Sequence, residues 1–113
     1  MAKQTEFVVV LVTCSKLSEA RRIADRVVSS RLAACANILR APVDSVYRWK
    51  GKMERAREYL LLIKSSRKRL SALKVEIKRL HSYEVPEFIA LPIGDGSDAY
   101  LKWLGESLAP EAK

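Results

Sequence analysis

Residues 43–66 read VDSVYRWKGKMERAREYLLLIKSS. Val46, Tyr47 and Trp49 favour an extended chain, because branched and aromatic side chains pack well on a pleated surface. KGK, residues 50–52, makes a tight reversal around Gly51. EYLLLIKSS, residues 58–66, is then the returning strand, and the two arms form one long hairpin. Tyr47 and Trp49 alternate onto the same side of it.

Working outward, the hairpin is preceded by CANILRAPVDSVYRW, residues 35–49. Pro42 has no N–H for a ladder, so a bend or bulge is expected there rather than one continuous strand. Phe7–Cys14 is rich in β-branched residues and reads as a buried strand. Ser15 is positioned to cap the helix that follows. In that helix Ala20, Ile23, Ala24, Val27 and Val28 recur at helical spacing, with Glu19, Arg22, Asp25 and Arg26 toward the other side, and the pattern ends near Leu32. After the hairpin, Leu70, Leu73, Ile77 and Leu80 form one stripe of a second helix spanning about Ser66 to His81. VPEFIALPI, residues 85–93, returns to strand, and Pro92 places its end at an edge or a bulge. GDGS turns the chain, and Ser97 or Asp98 caps a last helix that carries Tyr100, Leu101 and Leu104.

The order β-α-β-β-α-β specifies an α+β, ferredoxin-like split sandwich with an extra C-terminal helix. The chain of 113 residues fits one domain, read as residues 7–108 with frayed ends at 1–6 and 109–113. The two main helices cover one face of the sheet, which leaves the other face and the hairpin edges open. Such edges invite pairing with another chain, so an oligomer built by sheet extension is expected.

Composition narrows the function. No apolar run approaches the ~20 residues of a membrane helix, and the N-terminus lacks a secretory core, so a cytoplasmic location is expected. Cys14 and Cys35 form no Cys-x-x-Cys pair and read as free thiols. The net charge is +8. Lys64 to Arg79 carries seven basic side chains against Glu76 alone, a pattern that is most often a solvated helix face. There is no Gly-x-Ser-x-Gly elbow, P-loop or Gly-x-Gly-x-x-Gly turn, so an enzyme is not expected and no catalytic residue is assigned. A basic ferredoxin-like RNA-binding module is the alternative, but the RNP1 pattern is absent from CANILR and EYLLLIK, so nucleic acid is disfavoured. A structural oligomer that anchors a protein partner is a further alternative.

Several blocks in fixed order carry a family resemblance: VVVLVTC (8–14), RLAACANI (31–38), SVYRWKGK (45–52), LLLIKSS (60–66), LHSYEVPEFIALPI (80–93) and AYLKWL (99–104). The chain resembles the CutA family of divalent-cation tolerance proteins. The resemblance implies a compact homotrimer similar in architecture to the PII signalling proteins, with clefts between subunits and association with copper or another divalent metal. It implies cleft residues Tyr47, Trp49, Lys64, Tyr83 and Glu87 for a small ligand, and Cys35 and His81 as metal donors. Two positions depart from the family pattern: Ser82 stands where proline is usual, and Val12, rather than Cys14, matches the first-strand cysteine of some members.

His81 is the only histidine. Three roles stay open for it at this point: a metal donor, a positively charged cap on the second helix, or an acid-base group. Metal sites want three or four nitrogen, sulfur or carboxylate donors, and one subunit offers this histidine, two cysteines and carboxylates such as Glu84 and Glu87.

Overall fold

A computed structural model describes residues 5–109. Five strands and three helices follow in order: β1 (Phe7–Cys14), α1 (Leu17–Ser29), β2 (Cys35–Ile38), β3 (Val43–Trp49), β4 (Lys52–Ser66), α2 (Leu70–Leu80), β5 (Ile89–Pro92) and α3 (Asp98–Leu108), with a 3-10 turn at Arg67–Arg69 before α2. The strands pair antiparallel in the order β2-β4-β1-β5, and β3 pairs with the first half of β4. This is the expected α+β arrangement. β5 pairs with β1 alone, so Pro92 sits on an edge strand, where a missing N–H costs little.

Alternation along β1 and β4 divides the molecule. Val8, Val10, Val12 and Cys14 of β1, with Leu61 and Ile63 of β4, are buried against Ala20, Ile23, Ala24 and Val27 of α1 and Leu73 and Ile77 of α2. The intervening side chains point the other way. Register pairs Leu11 with Leu62 and with Ile89, and Val9 with Leu91, so these residues share the opposite face. Ile89 and Leu91 remain 47% and 46% exposed there. Among the described residues, α3 covers only the Phe7 end of that face, through a separate cluster of Phe7, Ala34, Leu104 and Leu108.

Local structure departs from the sequence expectation in several places: residues 35–49, expected as one bent strand, form β2 and β3, and of the expected strand 85–93 only Ile89–Pro92 is extended in the sheet. Lys16, not Ser15, is the N-cap of α1, and no side chain caps it. α1 stops at Ser29 rather than near Leu32, because Arg31 turns left-handed at φ 61° and Leu32 and Ala33 return N–H bonds to the Val27 carbonyl, the usual way of closing a helix C-terminus. β4 begins at Lys52, six residues before the expected start at Glu58. Its first half belongs to an arm that pairs only with β3, and with no core beneath it no apolar pattern marks it. Glu19 faces inward and is buried, although helical spacing puts it with the polar residues.

Of the expected frayed ends, residues 1–4 and 110–113 lie outside the described residues. Thr5 and Glu6 already carry structure: Thr5 bonds to the Ile93 carbonyl through its backbone N–H and its hydroxyl, and the Glu6 carbonyl accepts from Arg67 N.

The hairpin turn is the tight reversal expected: Trp49 pairs with Lys52, and Lys50 and Gly51 take φ of 50° and 80°. Two left-handed residues match the twist of the arms. Gly51→Ala should therefore lower stability by about 1 kcal/mol, and Lys50→Asn should raise it by roughly 0.5 kcal/mol, both read from urea unfolding at fixed protein concentration. An unchanged midpoint in Gly51→Ala would show that the arm unfolds before the cooperative transition.

Candidate functional site

The segment that follows α2 is held against β1 and α1 by a small set of polar bonds. His81 ends α2 through its backbone, its N–H bonding to the Ile77 carbonyl. Its side chain turns into the protein and is fully buried, so it is not a solvated cap. Nδ1 accepts from the Tyr83 backbone N–H at 3.0 Å. Nε2 lies 2.7 Å from the Thr13 carbonyl, so the hydrogen bonds place the ring proton on Nε2. Cys14 Sγ lies 3.7 Å from the same nitrogen.

Glu19 completes the group. Its Oε1 accepts from the Ser82 backbone N–H at 2.9 Å. Its Oε2 is buried with no hydrogen-bond partner and lies 3.8 Å from His81 Nδ1. Buried carboxylate oxygens without a partner are uncommon and costly. Donor atoms of Cys14, Glu19 and His81 all lie within 4.8 Å of one another, the only such trio of His, Cys, Asp or Glu among the described residues. Thiolate, carboxylate and imidazole are donors that suit copper or zinc, so the trio has the residue types of a cation site; taking up a cation there would require Cys14 to lose its proton and His81 to release either the Tyr83 N–H or the Thr13 carbonyl. Cys14 is held as the thiol: burial first, and then the charge of Glu19, push its pKa up to about 12.

Tyr83 connects this group to a surface cleft. Its ring packs tilted on His81 with centroids 4.7 Å apart, and its hydroxyl donates to Glu58 Oε2 at 2.7 Å. Burial and that bond to Glu58 hold the phenol well above its ordinary pKa. Tyr83 and Glu58 line a cleft of about 650 Å³ with Tyr47, Trp49 and Glu87. The Glu87 carboxyl is raised by burial and by the nearby Glu58. β3, β4 and the 82–87 segment thus converge on one place.

The structure gathers four of the expected cleft residues, Tyr47, Trp49, Tyr83 and Glu87, and sets His81 directly behind them. Lys64 and Cys35 lie elsewhere. They are direct partners across β2 and β4, on the face away from α1 and α2. The Lys64 ammonium and the Cys35 thiol both reach Asn37 Oδ1. Within one chain, Cys35 is not in the His81 group; Cys14 takes that place. Glu19 and Glu58 were missed by sequence reasoning. Glu19 had a signal: an acidic side chain in the first turn of α1, where N–H groups and the helix dipole favour a carboxylate. Glu58 had none, since a glutamate at the start of an apolar strand looks solvated.

A family model described as CutA1 divalent ion tolerance protein matches residues 8–107. The divalent-cation tolerance protein CutA of Thermus thermophilus is 46% identical over 99 residues, which cover 88% of this chain and 95% of that protein. The CutA homolog of Xenopus laevis is 44% identical over 100 residues, covering 88% of this chain but 65% of that longer protein. Among solved structures, that of the Thermus thermophilus protein superposes with a TM-score of 0.87 at 44% identity, over 89% of this chain and 97% of that one. CutA1 from Oryza sativa superposes with a TM-score of 0.87 at 42% identity, over 92% and 94% of the two chains. Sequence blocks, strand order and fold agree along nearly the whole length, and the chain belongs to the CutA family of divalent-cation tolerance proteins.

Proposed function

We propose that this protein is a non-enzymatic homotrimer that binds Cu(II) or another divalent cation, with His81 as its nitrogen donor. The observation that carries the reading is the buried trio of Cys14, Glu19 and His81 with its unpartnered carboxylate oxygen. When bound, the cation would supply the positive charge that this oxygen lacks. Tyr47, Trp49, Tyr83 and Glu87 form the wall of a small-ligand cleft next to it, which suits a PII-like signalling role in which cleft and cation are sensed together. Cys35 and Lys64, on the open face of the sheet, serve at the seam between copies. Two free thiols suit action in the reducing cytoplasm.

Support for the trimer comes from the face that α1 and α2 leave uncovered. Leu11, Leu62, Ile89 and Leu91 stand together there, and Val46, Tyr47, Trp49 and Met53 are exposed on the projecting arm. Apolar surface of this kind marks an interface. It also speaks against the RNA-recognition alternative: that mode needs aromatic side chains free on the sheet face, and Phe7, in phase with Val9 and Leu11, is covered by α3.

Calorimetric titration with Cu(II) tests the cation. His81→Ala is expected to lose affinity by at least about tenfold, and unchanged affinity and stoichiometry would remove His81 from the site. Cys14→Ser and Cys35→Ser separate the trio within one chain from a donor at the seam. Sedimentation is expected to give a trimer for the wild type and a smaller species for Leu62→Asp. A folded wild-type monomer at working concentration would overturn the assembly. Alkaline stability tests the buried thiol. Unfolded, Cys14 ionises near 9.0, and folded it does so near 12. The unfolded state therefore binds fewer protons between these values, and stability falls as pH rises through that window. Cys14→Ala should flatten the fall, whereas an identical pH profile would show that the thiol is not shielded.

A further inference from the structure

The formal charge of this protein is concentrated in the segments of one layer, of which Arg31 and Arg69 turn away to donate to the Ser107 and Leu108 carbonyls of α3. Residues 16–31 and 67–80, which hold α1, α2 and their ends, contain eleven basic and three acidic side chains, so the entire net charge of +8 falls there and the rest of the chain is neutral. The three acidic side chains barely offset it at the surface. Glu19 is buried and faces the Ser82 N–H. Glu76 is held between Arg26 at 2.8 Å and Arg79 at 2.6 Å. Asp25 is the only exposed carboxylate of the layer.

Arg21, Arg22, Arg26, Lys68, Lys74, Lys78 and Arg79 are all exposed there. Several are fixed in place: Arg22 donates to the Leu80 carbonyl at 3.2 Å across the two helices, and Arg26 and Arg79 share Glu76. A guanidinium already held in position loses less freedom when it takes up an oxyanion. The layer carries no exposed aromatic side chain, so single-strand stacking has no platform. Its exposed large apolar residues are Val28 and Val75, too little for insertion into a bilayer. α1 alone is ~20 Å long, and duplex DNA presents a phosphate charge every ~1.7 Å of axis.

We propose that the α1–α2 layer is a docking surface for the phosphate backbone of double-stranded nucleic acid, bound without sequence preference. The surface lies on the side of the sheet opposite the apolar face, so self-association and duplex binding use different sides of the molecule. This function is separate from cation binding and does not depend on it.

Fluorescence anisotropy with two unrelated 20-base-pair duplexes tests the proposal. Binding is expected at about 50 mM salt with equal affinity for both sequences, weakening with salt at a log–log slope of roughly −4, as for about four phosphates neutralised. The triple variant Arg21→Glu, Lys68→Glu, Lys78→Glu is expected to bind at least ~30-fold more weakly with a shallower slope. Thermal melting verifies that it is folded. Lys50→Glu with Lys52→Glu, on the hairpin arm, should leave affinity within about twofold. Absence of duplex binding at low salt would overturn the proposal. So would equal affinity in the folded triple variant, or association with anionic vesicles of phosphatidylserine and phosphatidylcholine in place of the duplex.

Discussion

β4 is the constraint on which the other elements depend. Its second half hydrogen-bonds on both sides, to β1 and to β2, while its first half leaves the core and pairs with β3 alone. Because side chains alternate along a strand, fixing β4 between β1 and β2 assigns Leu61 and Ile63 to the helices and Leu62 to the opposite face. A shift of one residue would exchange these sets and bury Lys64 in place of Ile63, so the register is strongly specified. The same strand carries Glu58 at the point where the arm leaves the core, and that residue anchors Tyr83. The fold and the cleft are thus set by one fifteen-residue strand.

The group around His81 illustrates how buried polar atoms organise a loop. Both backbone N–H groups that begin the segment after α2 end on side chains of the trio: Ser82 on Glu19 and Tyr83 on His81. A proline at position 82 would have no N–H; serine there supplies the bond to Glu19. The thiol of Cys14 comes from β1, the carboxylate from α1 and the imidazole from the end of α2. The consecutive β1 and α1 are thereby tied to the distant end of α2 by a group that leaves one oxygen unsatisfied, and that oxygen gives the divalent-cation reading its physical basis.

Three surfaces result, with distinct chemistry. One side is a strongly basic helical layer, the other an apolar sheet face partly covered by α3, and the cleft lies where the hairpin arm meets the 82–87 segment. Their separation follows from the two periodicities of the chain, 2.0 in the strands and 3.6 in the helices, acting on a sheet that has its two long helices on one side.

The sequence by itself determined the element order, the tight turn at Lys50–Gly51, the apolar stripes of α1 and α2, and the family to which the chain belongs. These are local or nearly local: β-branched runs, helical spacing, glycine at a left-handed position and blocks in fixed order. Tertiary structure alone decided which polar side chains meet. Glu19 looks solvated by helical spacing and is buried because the segment after α2 needs an acceptor at the N-terminus of α1. Cys14, rather than Cys35, neighbours His81 because alternation puts Cys14 on the helix side of β1, while β2 holds Cys35 in phase with Lys64 on the other side. The β3–β4 arm extends past the apolar run because pairing with a neighbouring strand, and not burial, satisfies its backbone. Contacts of this kind join residues dozens of positions apart, and spacing along the chain carries no record of them.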